Sequence, residues 1–140
     1  MSQFEWTIEF TEEELLHWLL PVENVIYTYV VENDNVISDF ISFYILPSSV
    51  IGNDKHKQIK AAYSFYYGVS DAKNLTPLMN DALILANNMN CDVFNCLEIL
   101  NNHIFLEELK FGKGDGTLQF YMFNWNTDPI DNHKVGIIML

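Results

Sequence analysis

Read for its alternation of apolar and polar positions, the chain falls into short blocks, each with its own boundary signal. Phe10-Thr-Glu-Glu-Glu-Leu15 predicts a helix start, with Thr11 and Glu14 as a capping box and Phe10 against Leu15 as a hydrophobic staple. Leu15, Leu16, Trp18, Leu19 and Leu20 supply an apolar face, and Pro21 is expected to stop the helix. Val25 to Val31 is β-branched and aromatic, Glu32-Asn-Asp-Asn35 offers turn residues, and Val36 to Leu46 resumes in extended form until Pro47. Ile37, Ile41, Phe43 and Ile45 share one side of that second strand, while Ser38, Phe40, Ser42 and Tyr44 share the other, so both sides are expected to be covered.

The segment 48–60 is polar and carries Gly52-Asn-Asp54, hence a loop; Ala61 to Tyr67 reads as a third strand dense in aromatics. Thr76-Pro77 predicts a second helix, Thr as N-cap and Pro at the first helical position, with Leu78, Met79, Ala82, Leu83, Leu85 and Ala86 buried as far as Met89. Asp92 to Asn95 reads as a short strand, followed by helical pieces at 97–100 and 103–109. A glycine-rich turn, a strand from Leu118 to Trp125, a polar loop and an apolar terminal strand from Lys134 to Leu140 complete the pattern. The order α-β-β-β-α-β-α-β-β predicts a single α/β (α+β) domain, a mixed sheet flanked by helices, with no repeat or linker.

Composition narrows the function classes. The 140 residues carry seven Lys, no Arg and a net charge of −12, and the first 50 residues hold nine acids and no Lys or Arg. Nucleic-acid binding needs basic charge against phosphates, so the composition argues against that class. Such acidity either attracts cationic partners, Lys-rich peptides among them, or keeps the surface soluble. No apolar run reaches the length of a membrane span, and Met1 to Trp6 lacks the features of a secretory leader, which places the chain in the cytosol. Cys91 and Cys96 stand five apart without a second ligand pair, and His17, His56, His103 and His133 are scattered, so neither a metal nor a disulfide is expected.

Motifs alone leave the chemistry open. Gly112-x-Gly114-x-Gly116 has the wrong spacing for a dinucleotide fingerprint, and Asp115 would repel a phosphate; a turn needing positive φ is the plain reading. Ser48-Ser49 after Pro47 either carry function or cap a turn. Tyr63, Phe65, Tyr66 and Tyr67 either line a pocket or pack a core.

A wider set of segments runs in order along the chain. Val36-Ile-Ser-Asp-Phe-Ile-Ser-Phe-Tyr-Ile-Leu-Pro-Ser48, Lys60-Ala-Ala-Tyr-Ser-Phe-Tyr66, Asp81-Ala-Leu-Ile-Leu-Ala86 and Asp92-Val-Phe-Asn95 come first. Phe105-Leu-Glu-Glu-Leu-Lys-Phe-Gly-Lys-Gly-Asp-Gly116, Tyr121-Met-Phe-Asn-Trp125 and Val135-Gly136 follow. Together they resemble the C-terminal half of the eukaryotic-type N-myristoyltransferases (glycylpeptide N-tetradecanoyltransferases). The resemblance implies an acetyltransferase-like (GNAT-like) fold in which residues 1–140 are the peptide-binding lobe of an acyltransferase. Myristoyl-CoA would be the cosubstrate of the complete enzyme, with no cofactor bound by this half. Peptides or proteins with an N-terminal glycine would be the acceptors, and a separate N-terminal lobe or a second copy of the chain would be the partner. The α-carboxylate of Leu140 would be the catalytic base, with Asp115, Gly116, Leu118, Ser48, Tyr63 and Asn95 bordering the peptide.

That chemistry is physically consistent. A carboxylate near pKa ~3.5 facing an α-ammonium near ~8 opposes proton transfer by roughly 6 kcal/mol in water. Burial raises the acid and lowers the amine, closing the gap. The lobe that would hold the myristoyl chain, worth about 0.8 kcal/mol per buried CH₂, has no counterpart in these residues.

Overall fold

The computed structural model describes residues 4–52 and 55–139. In chain order the elements are β1 (Trp6–Thr7), α1 (Glu12–Leu19), β2 (Ile26–Asn33), β3 (Val36–Ser49) and β4 (Gln58–Gly68). Then come α2 (Leu75–Asn88), β5 (Val93–Asn95), α3 (His103–Leu106) and β6 (Val135–Gly136). The chain is a mixed α/β domain whose contacts fall into two compact units. Among the described residues, one comprises 9–52 and 55–97 with 138–139, the other 4–8 with 98–137.

The larger unit is built on a four-stranded sheet, β2-β3-β4-β5, antiparallel except for the parallel pair β4–β5. The β2–β3 hairpin closes through two residues, Asp34 and Asn35, with φ of 50° and 60°. Both lie in the left-handed region that a two-residue type I′ hairpin requires, and Asn and Asp tolerate it best after glycine. Pro47 does not end β3 as expected: it pairs opposite Lys60. The pairing of β2 with β3 reaches only to Ile26 opposite Tyr44, so at Pro47 one side of β3 has no neighbouring strand, and the missing N–H is tolerated there.

Between the Ile41–Tyr67 and Phe43–Ser64 pairs, β4 gains one residue on β3. The buried Ser42 hydroxyl sits at this bulge and donates to the Tyr66 carbonyl at 2.6 Å. On one face of the sheet Phe43, fully buried, meets the rings of Tyr27, Tyr29 and Phe94. Helix α2 covers this face, burying Leu75, Leu78, Met79, Ala82 and Ala86. On the other face Ile26, Phe65 and Tyr66 form a core cluster with Phe10, Leu19, Phe40, Tyr44 and Ile138 against it.

Both helices differ from expectation in detail. The capping box of α1 forms, Thr11 N–H donating to Glu14 Oε2 at 2.8 Å. Its apolar stripe is not buried, however: Leu15, Leu16, Trp18 and Leu20 are exposed, and the helix meets the core through Phe10 before it and Leu19 at its end. Helix α2 begins at Leu75, so Thr76 is inside it rather than its cap, and Pro77 occupies the first turn, where an N–H would lack an intrahelical partner anyway. A single 3₁₀ turn, Ala72–Asn74, leads into it, with Asp71 accepting from the Lys73 amide at 3.0 Å. Asp39, 5% exposed, ties this turn to the sheet by accepting from the Ser70 amide (2.6 Å) and hydroxyl (2.9 Å) and from Ser38 Oγ (2.9 Å).

In the smaller unit β1 runs parallel to β6, Trp6 opposite Val135 and Thr7 opposite Gly136. Gly136 is needed there for space, since a Cβ would lie 2.7 Å from the Phe4 ring. Residues 97–100 are not helical; Ile99 and Leu100 are buried, and the Leu100 amide donates to the Val135 carbonyl. The predicted strand from Leu118 to Trp125 is absent. Its alternating residues find no partner strand among the described residues, leaving Tyr121, Phe123 and Trp125 at 89%, 92% and 68% exposure. The terminal strand contracts to Val135–Gly136. The expected positive-φ glycine turn is also corrected: Gly112, Gly114 and Gly116 avoid the left-handed region, Lys110 adopts it (φ 59°), and the stretch has no regular secondary structure apart from a bend at Asp115.

Candidate functional site

The strongest arrangement of chemical groups lies on the sheet face opposite α2. Register places Tyr44, Tyr63 and Asn95 in one cross-strand row, Tyr44 opposite Tyr63 and Tyr63 opposite Asn95. The Tyr44 and Tyr63 rings stack with centroids 5.1 Å apart and planes 10° from parallel. Ser48 lies four residues beyond Tyr44 on the same side of β3, paired opposite Ile59. The row is half-buried, an apolar wall fringed with hydroxyl and amide groups, suited to holding an extended peptide by backbone hydrogen bonds. Burial pushes the Tyr44 phenol above its ordinary range, and neighbouring Tyr63 adds to the shift.

Next along β4, the buried Tyr66 points its hydroxyl at the returning C-terminal segment. It accepts the Ile138 amide at 3.0 Å and faces the Ile138 carbonyl at 3.5 Å. Phe10 meets the Tyr66 ring edge-on at 5.3 Å, and Phe65 at 4.6 Å, so the ring has little freedom. Burial raises the Tyr66 phenol, and the Ile138 backbone works in the opposite direction.

Of the site residues expected from sequence, the sheet brings Tyr63 and Asn95 together, with Ser48 further along the same face. Asp115, Gly116 and Leu118 belong to the smaller unit, exposed in its stretch without regular secondary structure. Leu140 lies outside the described residues, as do Asn53 and Asp54 of the predicted loop. Tyr44 was not anticipated as a site residue, and Tyr66 only as one of an aromatic group that either lines a pocket or packs a core. The alternation along β3 already set Tyr44 beside Ser42 and Phe40, which is a usable signal; the Tyr66 hydroxyl's partner, far away in sequence, gave none.

No group of three or more His, Cys, Asp or Glu side chains near enough to hold a metal occurs among the described residues. No helix among them is long and apolar enough to cross a membrane.

Comparison with known proteins decides the family. The model of the C-terminal domain of myristoyl-CoA:protein N-myristoyltransferase matches residues 1–138. The chain belongs to the N-myristoyltransferase C-terminal domain family. Glycylpeptide N-tetradecanoyltransferase 2 of Danio rerio is 52% identical to it over 140 residues, 99% of this chain and 28% of that protein. The glycylpeptide N-tetradecanoyltransferase of Plasmodium falciparum is 42% identical over 140 residues, 100% of this chain and 34% of that protein. The crystal structure of Saccharomyces cerevisiae N-myristoyltransferase with bound myristoyl-CoA superposes with a TM-score of 0.90 at 38% identity, covering 99% of this chain and 42% of that one. A Clostridium acetobutylicum predicted acetyltransferase with acetyl-CoA matches at a TM-score of 0.55 and 15% identity, which shows the shared acetyltransferase-like fold alone. The N-myristoyltransferase domain seen here therefore spans about a third of the curated relatives it matches.

Proposed function

We propose that this chain is the acceptor-peptide part of a cytosolic protein N-myristoyltransferase, and that it works with a further part that holds myristoyl-CoA. Its family membership carries this reading: the match runs over residues 1–138 of this chain but about a third of each relative. The substrate would be a peptide or protein with an N-terminal glycine.

In the proposed reaction the α-carboxylate of Leu140 takes a proton from the glycine ammonium. The freed amine attacks the thioester carbon of myristoyl-CoA, forming the amide and releasing the CoA thiol. Support on this chain's side comes from the Tyr66–Ile138 hydrogen bond, which fixes the backbone two residues before Leu140. Tyr63, Asn95 and Ser48 would run along the peptide backbone, and the resemblance gives Asp115, Gly116 and Leu118 the same kind of role. The acidic balance of the chain, −12, suits acceptors carrying lysines.

A second reading follows from the same coverage: a module that holds N-terminal-glycine peptides without transferring an acyl group. One experiment separates the two. The chain is mixed with myristoyl-CoA and a glycine-starting, lysine-containing peptide, with and without the N-terminal portion of a relative. Turnover only in the complemented mixture supports the transferase part. Peptide binding with no turnover in either mixture supports the module. Turnover by the chain alone overturns the claim that it needs a second part.

A further inference from the structure

Strand β2 ends the four-stranded sheet, with β3 on one side and no strand on the other among the described residues. Its first residue shows which way its backbone groups point. Ile26 donates its amide to the Val22 carbonyl at 3.0 Å and accepts the Val22 amide at 2.9 Å, so both of its main-chain groups face away from β3. Val25, one residue earlier, faces β3, its carbonyl accepting the Ile45 amide at 2.8 Å. In an antiparallel strand each residue turns both groups to one side and the next residue turns them to the other. Thr28 and Val30 therefore point their N–H and C=O outward, and neither has a backbone partner there among the described residues. The register shift between Val31 and Glu32 ends this regular edge.

A groove of about 340 Å³ lies beside the same edge. Tyr29, Val30 and Val31 all line it, although consecutive side chains of a strand alternate between faces. The groove therefore reaches the backbone edge of β2 and not one face alone. Helix α2 contributes Leu85, the half-exposed Ile84 and the exposed carboxylate of Asp81. Unpaired main-chain groups beside an apolar groove are what strand addition uses: backbone bonds hold the incoming strand, and the groove selects its alternate side chains.

Charge and turnover choose the occupant. Asp81 is the one charged residue lining the groove, and Glu32 and Asp34 follow on the hairpin. A strand carrying Lys or Arg is thus favoured, while a second copy of this chain, with its own −12, is repelled. The acceptor peptide already has the tyrosine row on the other face of the sheet, and it must leave after each turnover, whereas an added strand suits a lasting partner. We propose that the free edge of β2 and its groove receive an extended strand, apolar with at least one Lys or Arg, from the further part that holds myristoyl-CoA. The inference rests on the transferase reading and adds where its second part attaches.

The test co-expresses the chain with the portion of the Danio rerio relative that it does not match, and follows hydrogen exchange and turnover of the co-purified pair. The Thr28 and Val30 amides are expected to exchange at least about tenfold more slowly in the pair than in the chain alone. The Ile26 amide, already bonded, should change little. Ile84→Asp, which puts a charge in the groove, should raise the dissociation constant of the pair at least about tenfold, and Asp81→Lys about threefold or more. Asn87→Lys, on the same helix outside the groove, should leave it unchanged, and thermal melts separate a lost contact from a lost fold. Turnover without protection of Thr28 and Val30 overturns this inference and leaves the transferase reading standing. Protection without turnover upholds the edge contact and argues against that reading; absence of both refutes the two together. Protection that grows with the concentration of the chain alone, or that the glycine-starting peptide alone produces, assigns the edge to a second copy or to the acceptor and overturns the proposal.

Discussion

Replacing Tyr66 by Phe removes one oxygen atom and tests how the C-terminal segment is held. The ring keeps its place between Phe10 and Phe65, and no cavity larger than a hydroxyl is made. What is lost is the acceptor for the Ile138 amide, now at 3.0 Å; the 3.5 Å approach to the Ile138 carbonyl is too long to add much. A neutral hydrogen bond is worth about 0.5–1.5 kcal/mol net, and a stranded buried donor costs about 1–3 kcal/mol. Ile138 is half-buried, so water can reach the amide in part, and about 1–1.5 kcal/mol is the expected loss. For a chain of this length that lowers Tm by roughly 3–6 °C. If the segment opens locally, the Ile138 amide should exchange its hydrogen roughly 5–12 times faster, while the amides of β3 and β4 change only with global stability. Hydrogen exchange followed by NMR reads both. An Ile138 exchange rate equal to wild type, with Tm unchanged, would refute the claim that this bond fixes the segment.

Three further outcomes follow from the structure. The Ser70 amide, chiefly, with help from Ser38, the Ser70 hydroxyl and Asn74, holds the Asp39 carboxyl below the usual carboxylate range against the opposing effect of burial. With the folded value below the unfolded one, this stabilisation is whole above about pH 4 and is lost as pH falls through the folded value; urea melts should show the deficit of Asp39→Asn shrinking from about pH 6 to about pH 3. Asn35→Gly relieves a left-handed residue in the β2–β3 turn and should raise the urea midpoint, by about 0.5–1 kcal/mol of stability. Phe43→Ala empties the centre of the Tyr27–Tyr29–Phe94 aromatic group and should cost about 3–5 kcal/mol, measured by the same melts.

Much of the fold was legible because its signals are local. The capping box of α1, the Asp34-Asn35 turn and the apolar stripe of α2 each declare themselves within a few residues. The failures came where the deciding partner lies elsewhere. Alternation from Leu118 to Trp125 reports that one side wants cover, but a strand also needs a neighbour to bond, and none is present among the described residues. Pro47 looked like a terminator because its missing donor matters only where a strand is flanked on that side. Thr76 lost the capping role because the 3₁₀ turn set by Asp71 starts the helix sooner. For the site, Tyr63 and Asn95 came from the resemblance and stand side by side; Tyr44 and Tyr66 follow only from strand register and from a bond across the sequence.

The Tyr66–Ile138 bond joins residues 72 positions apart. Closing a loop of that size is entropically unfavourable until the contacts it brings begin to compensate, which makes it a late event in folding. During synthesis the sheet and α2 leave the ribosome well before residue 138 does, so the Ile26–Phe65–Tyr66 cluster must persist for a time without its final apolar neighbour. The nascent domain therefore passes through a stage with an open seam on the tyrosine face, the stage at which a chaperone would find it most readily.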